Sequence, residues 1–227
     1  MAARPSVGKT ALATAIARNV AKNDNRVAFF SVEMGKQILP RMIAQESSLN
    51  LMKVRTGQFT KDEIARFMAA SAKIAHLPIE IYYSSSPTEI EIKQHIRRNK
   101  PKLAIIDYLG YVRCSEGGDS KIKRERQVSV ISSCFKGISR DLGIPVIALC
   151  QLNREIEKAN RPPKLSDLRD SGSLEQDADV VMFLHCQSKD DGYRDLIIDK
   201  NRNGACGSMR LTFLNESTEF KSYSIRY

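Results

Sequence analysis

Short apolar runs that alternate with amphipathic stretches constrain this chain more than any other feature. Val27 to Phe30, Leu103 to Ile106 and Val180 to Leu184 are of strand length. Between and around them lie segments with helical spacing. Thr10 to Lys22 carries Leu12, Ile16 and Val20 four residues apart, which predicts a helix. Gln37–Ser47 and Lys61–Ala75 read as helices, and Thr60 with Glu63 forms a capping-box start for the second. Ser86-Pro87-Thr88 opens a helix running to about Asn99, and Val128–Asp141 is a helix ended by Gly143. The expected strands are Arg26–Val32, Glu80–Tyr83, Leu103–Asp107, Pro145–Leu149 and Val180–Leu184, followed by a hairpin of Asp195–Asp199 and Ser208–Phe213 around Asn203-Gly204. Asn153 to Gln176 is polar and reads as mostly irregular. Strands alternating with helices imply an α/β fold, a mostly parallel sheet flanked by helices with the hairpin at one edge. No composition shift marks a boundary, so residues 1–227 are expected to form one domain.

Composition narrows the class. With 42% hydrophobic and 27% charged residues the chain is neither a disordered tail, nor collagen-like, nor a coiled coil. No apolar run approaches a membrane span, so no membrane partner is expected. Lys plus Arg number 36 against 26 Asp plus Glu, a net charge of +10 that favours polyanionic partners, nucleic acid first. The 5 cysteines are widely spaced without a CxxC pair, which argues against a disulfide framework or a zinc site and for a reducing cytoplasm. Residues 1–22 are basic, Ala-rich and free of acids, like a transit peptide, but they also hold a better reading.

That reading is Arg4-Pro5-Ser6-Val7-Gly8-Lys9-Thr10, the second half of a GxxxxGK[ST] phosphate loop whose first glycine is Ala3. Gly8 lets the backbone curl around an anion, and the next helix turns its N-terminal N–H groups toward it. Lys9 suits the β- and γ-phosphates of ATP, and the Thr10 hydroxyl suits Mg²⁺. Leu103 to Asp107 is an apolar strand ending in an acid, which can deliver a carboxylate to that metal. Glu33 ends the run Val27 to Val32, where a carboxylate can orient and deprotonate water. Gln151 follows Val146 to Cys150, where an amide can report a γ-phosphate. The three strand ends are expected at one end of one sheet, the crevice where open α/β folds bind ligands. Taken singly, each has a plainer reading, as a basic loop or a polar strand end.

The segments ARPSVGKT, FFSVEM, VRTGQF, IIDYLG, ALCQLNR, SDLRDSGSLEQDAD and DKNRNG occur in this order. Together they resemble the C-terminal motor domain of the DnaB-type replicative helicases, a RecA-fold family, from Met1 to about Tyr223. The resemblance implies ATP-driven translocation on single-stranded DNA and duplex unwinding. On matching positions it implies that Lys9 and Thr10 hold nucleotide and metal, Glu33 is the catalytic carboxylate, Asp107 the metal-site acid and Gln151 the γ-phosphate sensor. It implies that Lys200 and Arg202 reach a neighbouring subunit's γ-phosphate, and that Arg169, Asp170 and Gly172 follow single-stranded DNA. A homohexameric ring, a primase and a helicase loader are the further partners it implies.

A hairpin arginine such as Arg202 can project a rigid guanidinium, but is otherwise a solvated surface residue. Lys121, Lys123, Arg124 and Arg126 form a basic cluster that suits a second nucleic-acid contact or a plain solvated face. Relative to the family, Gly110 stands for Gln, Cys150 for Ser, Asp170 for Glu and Asn201 for Gln; no reacting group is lost. Met1 falls at the loop itself, so the strand that feeds the loop, a linker helix and an N-terminal collar domain are expected to be missing. The alternatives are another RecA-type ATPase, recombinase-like or clock-like, and a non-enzymatic remnant that binds nucleotide or DNA.

Overall fold

In the computed structural model the described residues are 1–115, 124–152, 161–168, 172–188 and 190–223. Two hydrogen-bonded sheets form the frame. The first has the order β3 (Ile79–Tyr83), β2 (Val27–Ser31), β4 (Leu103–Asp107), β5 (Val146–Ala148), all parallel. Every residue of β2 and β4 is buried. They therefore read as continuous apolar runs, as strands covered on both faces must. Side chains alternate between the faces. Phe29 and Ile105 pack with Ala13 and Ala17 of α1 (Lys9–Ala21) and with Ile38 and Met42 of α2 (Ile38–Ser47). Phe30 and Ile106 point the other way, against Ile92 and Ile96 of α5 (Glu89–Asn99) and Ile131, Phe135 and Ile138 of α6 (Arg124–Leu142).

The second sheet has the order β10 (Glu219–Ser222), β9 (Gly207–Leu214), β8 (Tyr193–Asn201), β7 (Val180–His185), β1 (Ala2–Ala3), β6 (Cys150–Gln151). The expected single strand Pro145–Leu149 is thus divided. After Ala148 the chain leaves the first sheet, and Cys150 N–H already donates to Met1 O at 2.9 Å in the second. Leu149 is the joint, because its N–H still donates to Ile106 O at 2.9 Å. Glu33, Asp107 and Gln151 consequently end strands of two sheets that meet, not of one sheet.

The expectation of a missing strand before the loop is also corrected. Ala2 and Ala3 form a two-residue strand, parallel to both β6 and β7 and buried between them. Its Met1 ammonium donates to Ala148 O at 2.8 Å, and burial lowers its pKa.

The capping box of α4 (Lys61–Ala75) is present as expected, and Thr88 with Glu91 makes a second one on α5. Three elements carry no clear sequence period: α3 (Leu51–Thr56), α7 (Gly172–Asp177) and β10. The β8–β9 hairpin differs in its turn. Residues 202–206 connect the strands, and neither Asn203 nor Gly204 has the positive φ that a two-residue Asn-Gly turn requires. Among the described residues, no helix is long and apolar enough to cross a membrane.

Candidate active site

Residues 4–8 leave β1 and turn directly into α1. Val7 N–H donates to Arg4 O at 3.5 Å, Ser6 has φ +66°, and Gly8 has φ +110°. A Cβ on Gly8 would lie 3.3 Å from the Phe220 ring and 3.4 Å from the Phe213 ring, so space and backbone both demand glycine. The start of α1 has no side-chain cap and no acid in its first turn. Its orphan N–H groups and the positive end of its dipole are left for an anion. Arg4 anchors the loop from behind, donating to Cys186 O at 2.6 Å.

The loop lines a cleft of about 470 Å³ with Glu33, Arg41, Gln151, Phe213, Asn215 and Thr218. Lys9 Nζ donates to Cys150 O at 3.3 Å and lies 4.8 Å from the centre of the Tyr108 ring. Thr10 Oγ1 donates to Asp107 Oδ2 at 2.7 Å. The other carboxylate oxygen, Asp107 Oδ1, is buried without a hydrogen-bond partner among the described residues. Desolvation raises the Asp107 pKa, against the Thr10 hydrogen bond and the Lys9 charge. Glu33 follows β2, and its N–H donates to Asp107 O at 3.2 Å. Desolvation in the cleft also raises the Glu33 pKa, Lys9 pulls it down, and Asp107 adds to the rise.

The residues present fit a nucleotide with its divalent cation. A hydroxyl beside a buried carboxylate oxygen with no proton donor is a hard-oxygen donor set of the kind Mg²⁺ takes together with phosphate oxygens. Among the described residues no group of three His, Cys, Asp or Glu side chains could hold a metal by itself. Thr10, Asp107 and the nucleotide would have to share it.

Lys200 and Arg202 lie elsewhere. Lys200 pairs with Val181 near the start of β7, whereas the loop joins the sheet beside Leu184. Lys200 Nζ donates to Glu175 O, and to Gln176 O at 3.4 Å. Arg202 donates to Gln176 O at 2.5 Å and to Asp179 Oδ1 at 3.2 Å, with its side chain 46% exposed. Neither lines the cleft. Gly172 opens α7 and is exposed. Arg169, Asp170, Lys121, Lys123 and the Arg124 side chain lie outside the described residues, while Arg126 is exposed on α6.

The sequence reading missed Arg41, Phe213, Asn215 and Thr218. Arg41 Nε is buried with no partner among the described residues, and burial lowers its pKa while Asp107 raises it. Its only sequence signal is a charge between Ile38 and Met42, which are both buried. Phe213, Asn215 and Thr218 come from the far end of the chain, folded back beside the loop by β9 and β10.

The sequence profile of the DnaB-like helicase C-terminal domain matches residues 1–222. The replicative DNA helicase DnaC of Bacillus subtilis is 40% identical over 243 aligned residues, covering 100% of this chain and 52% of that protein. The replicative DNA helicase DnaB of Geobacillus stearothermophilus is 39% identical with the same coverage. The chain thus spans about half the length of the curated relatives it matches. A solved DnaB-like replicative helicase, studied for its interactions with primase, superposes with a TM-score of 0.91 at 34% identity, over 98% of this chain and 56% of that one.

Proposed function

Since the chain belongs to the family of DnaB-like helicase C-terminal domains, we propose that it is the ATP-hydrolysing motor of a replicative DNA helicase. In this reading hydrolysis drives translocation on single-stranded DNA and unwinding of duplex at replication forks. The observation that carries it is the convergence of Lys9, Thr10, Glu33 and Gln151 around one cleft, with the Asp107 carboxylate behind Thr10.

Each residue has a task its position suits. The Gly8–Thr10 backbone and Lys9 bind the β- and γ-phosphates of ATP, Lys9 by leaving the Cys150 carbonyl for a stronger anionic acceptor. Thr10 and Asp107 hold Mg²⁺, which when bound neutralises charge on the phosphate oxygens. Glu33 accepts the proton of the attacking water. Its pKa, raised by desolvation in the cleft, makes its carboxylate a stronger base than an ordinary glutamate. Gln151 hydrogen-bonds the γ-phosphate or the water and lets go when phosphate leaves. Arg41 adds a partly desolvated cation to the same cleft.

Arg202 and Lys200 lie outside their own chain's cleft, which suits a site completed on a neighbouring copy in a homohexameric ring. Arg169, Asp170 and Gly172 track single-stranded DNA through its backbone, a contact that reads no sequence and fits the net charge of +10. Primase and a helicase loader are the protein partners this reading includes, and the cytoplasm its compartment.

Lys9→Ala tests the cleft directly. Fluorescent ATP analogue binding should weaken by about tenfold or more, because a phosphate charge loses its counter-charge. Native affinity in a folded Lys9→Ala protein would remove the nucleotide from this cleft.

A further inference from the structure

Arg194 sits in β8 with only 1% of its surface exposed, the largest fully buried side chain of the described residues. Burying a guanidinium is expensive unless its donors are used. Here its donors are shared between the phosphate loop and the chain around it. Nε donates to Val7 O at 3.0 Å, and Nη2 donates to Asn215 Oδ1 at 3.2 Å. Nη1 donates to Asp191 O at 2.5 Å and to Tyr193 O at 2.7 Å. The guanidinium carbon lies 4.5 Å from the centre of the Phe213 ring, which itself packs on Phe220 at 4.6 Å. Val7 belongs to the phosphate loop, and Phe213 and Asn215 line the cleft.

The Val7 contact has a consequence for the chemistry. In a trans peptide the C=O and the next N–H point in opposite directions. A Val7 carbonyl fixed inward on Arg194 therefore turns the Gly8 N–H away from the core, toward the cleft that Gly8 lines. Glycine has no side chain to bias that peptide, so a flip would be easy without an anchor.

We propose that Arg194 is a positioning residue for nucleotide binding. It locks the Val7–Gly8 peptide so that the Gly8 N–H faces the phosphates, and it holds the Phe213 and Asn215 wall in register with the loop. This inference rests on reading Gly8–Thr10 as the nucleotide site, and the Lys9→Ala protein separates the two. If Lys9→Ala leaves affinity unchanged, the site reading fails. If only the Arg194 variants leave it unchanged, this inference fails alone.

Val7-Gly8 is the one Val-Gly step in the sequence. Labelling valine carbonyls with ¹³C and glycine nitrogens with ¹⁵N therefore gives a single correlated resonance from the Gly8 amide. In the unaltered chain Mg²⁺–ADP should shift this resonance. In Arg194→Met it should already be displaced or broadened without nucleotide, and affinity for a fluorescent ADP analogue should fall about tenfold, the loss of one charged hydrogen bond. Arg194→Lys should recover part of that affinity. A folded Arg194→Met protein with native affinity and a native Gly8 resonance would overturn the proposal. If Arg194→Met does not fold, Arg194→Gln is read in the same way, with Arg194→Lys expected between it and the unaltered chain. Failure of all three to fold assigns Arg194 to the core alone and also overturns it.

Discussion

The cleft at the phosphate loop and the basic pair at the β8–β9 hairpin are both rich in polar groups, but they are built differently. In the cleft, residues from five separate stretches of chain converge; Arg41 Nε and Thr218 Oγ1 there, and Asp107 Oδ1 behind Thr10, are buried without a hydrogen-bond partner among the described residues. At the hairpin, among the described residues, Lys200 and Arg202 reach the end of α7 and Asp179 just beyond it, and remain in contact with water. As a nucleotide site the cleft would be complete within one chain, whereas the basic pair, exposed at Arg202 and half-buried at Lys200, would have its target on a neighbouring copy. On the proposed function, binding therefore belongs to one copy and hydrolysis to two.

That division is open to attack at both ends. The largest effect should come from Arg202→Ala. Hydrolysis by the assembled protein should fall by ~10³, while nucleotide affinity of the cleft stays native. A matching loss of affinity would bring Arg202 into its own chain's site and break the comparison. Glu33→Gln comes next, with hydrolysis slower by roughly 10² or more and binding nearly intact. In the unaltered protein, activity should decline on acidification as Glu33 protonates. Because its pKa is raised, the decline should begin at a higher pH than for an ordinary glutamate, and the residual activity of Glu33→Gln should lack this limb.

Arg169→Ala acts on neither region. It should weaken single-stranded DNA binding in all sequences alike and reduce the salt slope by about one, measured as affinity against salt concentration. A change confined to one base sequence would contradict a backbone contact.

The smallest effect concerns stability. Desolvation raises the Asp107 pKa in the folded state, so between the unfolded and folded values the native protein binds the extra proton. Stability therefore falls as pH rises through that window, and the full penalty is reached above the folded value. Asp107→Asn removes the charge and keeps an acceptor for Thr10. Above that window the nucleotide-free variant should melt higher than the unaltered chain, by about 2–4 °C for each kcal/mol of relieved strain in a chain of this size. A lower melting point would mean that the carboxylate stabilises the apo fold.

The sequence made the parallel strands legible because β2 and β4 are buried on both faces and carry no polar interruption. It made α4 legible to its first residue, since Thr60 closes a capping box there, and it placed the start of α5 at Ser86-Pro87-Thr88 without the Thr88 capping box that the structure adds. The loop residues were readable because glycine, lysine and threonine at that spacing answer one chemical need. What remained hidden was long-range. Nothing near Leu149 announces that one strand serves two sheets. α3 has six residues, too few for a helical period to show. β10 has polar residues at three of its four positions and exists because it pairs with β9. Nothing in the sequence marks Arg194, and its burial depends in part on Val7 and Asn215, distant in sequence, returning to its side.

The most direct measurement mixes two defective proteins in assembled rings. Lys9→Ala should weaken nucleotide binding and remove hydrolysis in its own cleft while keeping Arg202, and Arg202→Ala keeps the cleft. Each alone should hydrolyse ATP poorly. Mixed hexamers, confirmed by mass, contain interfaces with an intact Lys9 on one side and an intact Arg202 on the other, and should regain part of the turnover. Mixed hexamers with no regain would contradict a site shared between copies and leave Arg202 an ordinary hairpin residue.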